Sequence, residues 1–277
     1  MTHIIDGRSM ASKILGKLKH QVLHLKIKPC FAIILVGENP ESKIYVSGKI
    51  KAAAEIGIKA DLYKFEDSVS EIKLLKKIKE LNLAKDVNGI IVQMPLPAHI
   101  NSAEIIHAMD PKKDIDGFHP INVGMLYSGL KPYFIPCTPL GILDILKTQF
   151  DSLKGLYAVI IGRSNIVGRP LASLLLKNDM TVTICHSKTK NLPSITKQAD
   201  VVICASGQTE SLGKEYFSEK TIVIDVGINR MPNGKIAGDV KFYEVHDYVR
   251  AITPVPGGVG PMTIANLMKA ITSIVTK

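Results

Sequence analysis

At 277 residues and 46% apolar content the chain suits one large or two smaller globular domains, and the absence of Trp leaves the core to branched aliphatics. A net charge of +10 favours anionic partners, yet no Arg-rich tract or basic run interleaved with aromatics marks a nucleic-acid reader. Four scattered cysteines without a CxxC pair argue against a disulfide framework or a zinc site; without a signal peptide or a bilayer-length apolar run, a cytoplasmic protein with no membrane partner is expected.

Helix and strand patterns alternate along the chain. Residues 8–26 are helical, with Leu15, Leu18, Val22 and Leu25 on one face. His20 and His24 have i, i+4 spacing, but the segment HQVLH lacks the Glu of a zinc-protease helix, so no metal is expected there. Cys30 to Val36 is an unbroken apolar run, hence a buried strand. Asn39 as N-cap and Pro40 at the first position then open a second helix. A strand at 60–65, a helix at 70–83 and a strand at 89–93 follow, and Met94-Pro95-Leu96-Pro97 ends regular structure. A short helix is expected near 102–109. Residues 110–138 read as a long irregular loop, a feature of functional segments. A second alternating series comprises a helix at 140–150, a strand at 157–161, a helix at 167–177, strands at 181–185, 201–204 and 221–226, and a closing helix at 263–275. The pattern predicts an α/β protein with parallel sheets covered by helices, in two lobes meeting near residue 138.

Several segments have the composition of sites. In SKIYVSGKIKAA (42–53), Ser42, Tyr45 and Lys49 step by three and four and share a helix face. Val46, Ile50, Ala53 and Gly57 form the adjoining buried stripe, which puts Tyr45 and Lys49 at its edge. Lys49 there is either a solvated surface charge or a lysine facing a substrate and fit for proton transfer. Gly48 costs roughly 1 kcal/mol against Ala in a helix interior, which a close backbone approach would offset.

AVIIGRSNIVGRPLASLLL (158–176) is a strand, a glycine turn and a helix, the unit that sets backbone N–H groups against a phosphate. Ser164 and Val167 stand where a dinucleotide fingerprint has its second and third glycines, so a ligand-free turn is the alternative. The next strand ends Cys185-His186-Ser187-Lys188, with no Asp or Glu to hold a ribose 2′-hydroxyl. Ser187 and Lys188, with Arg163 or Arg169, would accept a 2′-phosphate, which favours NADP; a strand end without selective meaning is the alternative. ITPVPGGVGPMT (252–263) is denser in Pro and Gly than a plain turn needs. Asp114, Asp116 and His119 in KKDIDGFHP form either a solvated acidic turn or a carboxylate site for an amino-substituted ring; no EF-hand follows.

The motifs YVSGK with KAA behind it, GIIVQMPLP, KDIDGFHPINVG, PCTPLGI, GRSNIVGRP, VIDVGIN, GDV and ITPVPGGVGPMT occur in that order along nearly the whole chain. In them the sequence closely resembles the bifunctional methylenetetrahydrofolate dehydrogenase/methenyltetrahydrofolate cyclohydrolase family. The resemblance implies two α/β lobes, a catalytic lobe and a Rossmann-like parallel-sheet NADP lobe, with a cleft between them. Residues 1–138 with 261–277 would form the folate-binding catalytic domain and residues 139–260 the NADP-binding domain. It implies Lys49 as the central catalytic residue and Tyr45 stacked on the folate ring system. Gln93 would hydrogen-bond the lysine and tune its protonation, and Asp116 would bind the amino-pyrimidine edge of the pterin. Pro256, Gly257 and Gly258 would border folate and nicotinamide, and Gly162, Arg163, Ser164, Ser187 and Ile228 would contact the cofactor. The substrates would be tetrahydrofolate derivatives, polyglutamylated ones included, and the assembly a homodimer. Glu210 and Ala270 depart from the family pattern, and the length leaves no room for a formyltetrahydrofolate synthetase domain. Another NADP-dependent dehydrogenase, acting on shikimate or an amino acid, would share the glycine turn but would not explain YVSGK together with VQMPLP. A basic nucleic-acid-binding module would need a groove-reading motif that is not seen here.

Overall fold

The computed structural model describes residues 2–275. The chain forms two compact units, one of Ser12–Cys137 with Ile264–Lys277, the other of Met1–Ala11 with Thr138–Thr263. Residues 2–11 and 261–263, expected with the first unit, fall in the second. For residues 2–11 the reason is pairing: strand β1 (His3–Ile4) joins that unit's sheet. Residues 1, 276 and 277 of the expected catalytic domain lie outside the described residues.

Helix α1 (Gly7–Leu23) leads to strand β2 (Cys30–Val36), helix α2 (Pro40–Ile56), strand β3 (Lys59–Phe65), helix α3 (Glu71–Leu83) and strand β4 (Gly89–Val92). These strands form a parallel sheet in the order β3-β2-β4, so β2 is central. Its alternate side chains enter two cores, which is why its sequence is apolar at every position. Phe31, Ile33 and Leu35 pack with Val46 and Ala53 of α2 and Leu18 and Val22 of α1. Ala32, Ile34 and Val36 pack on the other face with Leu74 and Ile78 of α3.

Beyond β4 lie helix α4 (Ser102–His107) and helix α5 (Pro120–Tyr127). Helix α5 falls in the segment expected to be irregular. It is two turns long and is started by the side chain of His119, not by one of the usual small polar caps, with Pro120 at its first position.

The second series runs through helix α6 (Cys137–Gln149), strand β5 (Tyr157–Ile161), helix α7 (Gly168–Leu176), strand β6 (Thr181–Cys185), helix α8 (Leu192–Thr196), strand β7 (Val201–Cys204) and strand β8 (Ile222–Asp225). A hairpin of strands β9 (Asn229–Arg230) and β10 (Ile236–Ala237), helix α9 (Phe242–Val245), strand β11 (Ala251–Ile252) and helix α10 (Val259–Val275) complete it. The six-stranded sheet is parallel throughout, in the order β1-β11-β8-β7-β5-β6. From β5 the chain goes out to β6 and returns on the other side to β7. The ends of β5 and β7 therefore flank a topological switch point, where sheets of this class bind ligands. Helix α10 starts four residues earlier than predicted, with Pro261 in its first turn, where a missing N–H costs nothing. No helix among the described residues is long and apolar enough to cross a membrane.

Candidate active site and cofactor cavity

The Asn39 side chain accepts a hydrogen bond from Ser42 N (3.0 Å) and starts α2. Gly57 ends it in the left-handed conformation at φ 81°. Gly57 is thus a cap and not part of the buried stripe. That stripe is Ser42, Val46, Lys49, Ala52, Ala53 and Ile56, so Lys49 lies within it, only 8% exposed, not at its edge. A Cβ on Gly48 would sit 3.2 Å from Ile264 Cδ1, so the mid-helix glycine lets α10 approach closely.

Burying an ammonium requires a partner. Lys49 Nζ donates to Gln93 Oε1 at 3.2 Å. Gln93 directly follows β4, and its backbone N–H donates to Ile34 O (2.9 Å), extending the sheet by one residue. Its Nε2 donates to Met94 O (2.8 Å), which turns the amide oxygen toward the lysine. Tyr45, one turn before Lys49, is half-buried; burial pushes its phenol up to about 12, with the charge of Glu41 adding to the effect.

The segment 113–124 separates its polar groups by role. Asp114 is fully buried, and its Oδ2 accepts from His119 N (2.7 Å) and Asn122 Nδ2 (2.9 Å). Burial holds its carboxyl above the usual range against these bonds. It is not part of a solvated turn. Buried His119 accepts from Ile121 N at Nδ1 (3.1 Å) and donates from Nε2 to His107 O (3.2 Å), so both ring nitrogens serve the fold. Asp116 is half-buried and free of these clamps. Gly117, at φ 72°, lets the turn press on the 135–136 backbone, where a Cβ would come within 2.8 Å of Ile135 C. The adjacent Cys137 thiol is buried and pushed far up, chiefly by burial, with Asp116 adding and Lys49 opposing. Lys49 and Asp116 therefore share one electrostatic neighbourhood.

In the other unit, β5 is followed by Gly162 with φ 134°, where a Cβ would lie 2.1 Å from Ala205 O. A Cβ on Gly168 would lie 2.1 Å from Gly162 O, so both glycines are required by the close strand–turn–helix packing. Ser164, at the second fingerprint position, accepts from Val167 N (3.2 Å) and Gly168 N (3.4 Å), which closes the turn just before α7. Beside this turn is a cavity of about 350 Å³ whose walls include Gly162, Arg163, Ser164, His186, Ser187 and Ser206. Of the two turn arginines it is Arg163 that lines it, while Arg169, Lys188 and Ile228 are not among its lining residues. Ile228 faces Gly260, 3.9 Å from that residue's Cβ position. His186 and Ser206 were missed in the sequence. The Ser206-Gly207 pair one residue beyond the buried strand β7 was the available signal.

Pro256 is exposed, Gly257 has φ 120°, and its carbonyl accepts from Arg8 N (2.9 Å). A Cβ on Gly258 would be 2.6 Å from Thr253 Cβ, and one on Gly7 1.9 Å from Gly258 O. The glycines of this loop thus allow the start of α1 to pass against it. Among the described residues, no group of three or more His, Cys, Asp or Glu could hold a metal ion.

Residues 5–116 match the catalytic domain of tetrahydrofolate dehydrogenase/cyclohydrolase, and residues 136–277 match its NAD(P)-binding domain. The bifunctional protein FolD of Rickettsia bellii is 53% identical over 273 residues, 97% of this chain and 96% of that one. The crystal structure of the bifunctional FolD dehydrogenase/cyclohydrolase from Campylobacter jejuni is similar with a TM-score of 0.96 at 48% identity, over 100% of this chain and 99% of that one. The Trypanosoma brucei methylenetetrahydrofolate dehydrogenase-cyclohydrolase, solved with NADP and an inhibitor, is similar with a TM-score of 0.94 at 32% identity, over 99% and 97% of the two chains. With both domain models matched in order and half of its residues shared along almost its entire length, the chain belongs to the tetrahydrofolate dehydrogenase/cyclohydrolase family.

Proposed function

We propose that the chain is a bifunctional one-carbon folate enzyme. It oxidises 5,10-methylenetetrahydrofolate to 5,10-methenyltetrahydrofolate with NADP, then hydrolyses the product to 10-formyltetrahydrofolate. The observation that carries this reading is a buried lysine whose Nζ is held by the amide oxygen of Gln93, in a chain of this family. The unit containing Lys49 is assigned as the catalytic, folate-binding domain and the unit containing Gly162 as the NADP-binding domain.

The cavity beside Gly162 suits the cofactor. Ser164, Ser187 and Arg163 in its walls offer hydrogen bonds for phosphate, and no carboxylate follows β6 to repel a 2′-phosphate. When bound, NADP supplies a hydride acceptor. The chain's own part in that step is positioning, through Tyr45 stacked on the folate rings and Asp116 hydrogen-bonded to the amino-pyrimidine edge. Pro256, Gly257 and Gly258 border the reacting rings, and Ile228 contacts the cofactor. In the hydrolysis, water adds to the methenyl carbon and gives up one proton, the hydroxyl becomes the formyl oxygen by releasing its second proton to solvent, and one carbon–nitrogen bond opens as the leaving nitrogen takes up the first proton. Lys49 exchanges that proton, and Gln93 Oε1 keeps the amine aimed as it does so. A homodimer, a cytoplasmic location and polyglutamylated folates as substrates belong to the same proposal.

An ultraviolet time course tests it. Purified protein with methylenetetrahydrofolate and NADP should form the methenyl chromophore, and methenyltetrahydrofolate alone should lose it faster than in buffer. Folded protein silent in both assays would overturn the reading.

A further inference from the structure

The residue that organises the cofactor cavity is not in its wall. Asp239 is fully buried, and among the described residues its carboxylate is met by neutral donors. Oδ2 accepts from Ser206 N (2.5 Å), Ser206 Oγ (2.9 Å) and Gly207 N (3.0 Å), and Oδ1 accepts from Asn229 Nδ2 (2.9 Å). Its backbone carbonyl accepts from Ser211 N (2.8 Å) and Leu212 N (3.1 Å). Ser206, Ser211 and Leu212 all line the cavity. One residue therefore holds both ends of the 206–212 wall, and through Asn229 it holds the start of β9.

Asp239 is itself fixed. Its N–H donates to Asp225 Oδ1 (3.0 Å), and the next N–H, of Val240, donates to Asp225 Oδ2 (3.0 Å). The approach is possible because Gly238 and Gly227 carry no Cβ: one on Gly238 would lie 1.9 Å from Asp225 Oδ2, and one on Gly227 2.3 Å from Asp239 Oδ1. An unpaired buried carboxylate is costly, and a carboxylate has about four acceptor sites. Here three donors converge on Oδ2 and one reaches Oδ1, and those three belong to the cavity wall and the glycine beside it.

We infer that Asp239 is a positioning residue for the dinucleotide: it holds the 206–212 segment in the one shape that leaves the cavity open to NADP. The inference rests on the proposed NADP site. It acts through Ser206 and Gly207 and not by contact with the ligand. It therefore predicts an effect on nucleotide affinity that leaves the hydrolytic step untouched.

The experiment measures NADP binding by calorimetry, the KM for NADP and kcat of the dehydrogenase, and nucleotide-free hydrolysis of methenyltetrahydrofolate, on wild type and variants. For Asp239→Ala, Kd and KM for NADP should rise at least about tenfold, the loss expected when charged, buried hydrogen bonds are removed. The kcat at saturating NADP and the hydrolysis rate should stay near wild type. Asp239→Asn should recover most of the affinity, because its amide oxygen takes the Ser206 and Gly207 donors and its amide nitrogen donates to a flipped Asn229. Should Asp239→Ala fail to fold, Asn229→Leu decides the matter, since it removes one of the four bonds in a half-buried hairpin; its NADP Kd should rise about threefold. Unchanged NADP affinity in folded Asp239→Ala or in Asn229→Leu would overturn the inference alone. A parallel fall of hydrolysis and NADP affinity would overturn it as well, by reducing Asp239 to a general fold residue. A wild-type protein that binds no NADP would overturn both the inference and the site on which it rests.

Discussion

The surroundings of Lys49 and the surroundings of Gly162 are built by opposite means. The first is an arrangement of side chains: a lysine in the buried stripe of α2, a glutamine at the end of β4, and an aspartate left free while its neighbours clamp the loop. The second is an arrangement of backbone, shaped by Cβ atoms that are absent at Gly162, Gly168, Gly227 and Gly238 and held by carboxylates behind the wall. A site of side chains can lose its chemistry and keep its fold. A site of backbone shape loses fit and fold together, because a Cβ at Gly162 would strike Ala205 O and push the turn away from the chain after β7.

The sharpest way to break this contrast is Lys49→Met. Hydrolysis of methenyltetrahydrofolate should fall about a hundred- to ten-thousandfold, the range for a lost proton-transfer group. The thermal midpoint should change little, because removing a buried amine offsets the loss of its hydrogen bond to Gln93. Full hydrolytic rate in that variant would remove Lys49 from the chemistry. Gly162→Ala should do the reverse. A Cβ 2.1 Å from a carbonyl oxygen at φ 134° should cost about 2–4 kcal/mol in denaturant unfolding and most of the NADP affinity, while hydrolysis per folded molecule persists. Equal loss of both activities would end the distinction between the two regions.

The buried carboxylates sharpen the contrast through pH. Burial raises Asp225 to about 7, against backbone N–H donors from Asp239, Val240 and Gly227 and with the Asp239 charge adding. Its folded value lies above the unfolded one, so the native state holds the extra proton and stability falls as pH rises. Between about pH 6 and pH 8 that group should cost about 1.4 kcal/mol. Denaturant midpoints at the two pH values, with Asp225→Asn as the variant that lacks the slope, would detect it. Tyr45→Phe should have the smallest effect. A phenol held near 12 stays neutral and exchanges no proton at ordinary pH, so rates should change less than about threefold if the ring's stacking is its contribution. A larger loss would give the hydroxyl a role that stacking does not.

What the sequence made legible follows the range of the interaction that decides each element. The apolar run of β2, the Asn39–Pro40 start of α2 and the glycine turn after β5 are local, and all three stand where the residues put them. Strands β1 and β11, two residues each, exist only because partners from distant parts of the chain lie alongside them. Helix α5 escaped because its cap is a histidine and its length too short to show a period. Lys49 sits deeper than its spacing suggested because the group that makes burial tolerable, Gln93, lies 44 residues further on. Asp239 carried no sequence signal beyond the GDV motif, since its partners come from 206–207, 211–212 and 229.

The four cysteines have a practical consequence. All are buried, and burial raises every one of their thiols, Cys30 to about 11 and Cys204 well above the ordinary value. A thiol that is both covered and protonated is a poor nucleophile, so an alkylating reagent should mark these sulfurs only when the surrounding structure opens. Cys30 and Cys137 lie in one compact unit, Cys185 and Cys204 in the other. The chain therefore carries two pairs of internal clocks, and the order in which mass spectrometry finds them labelled would tell which unit opens first.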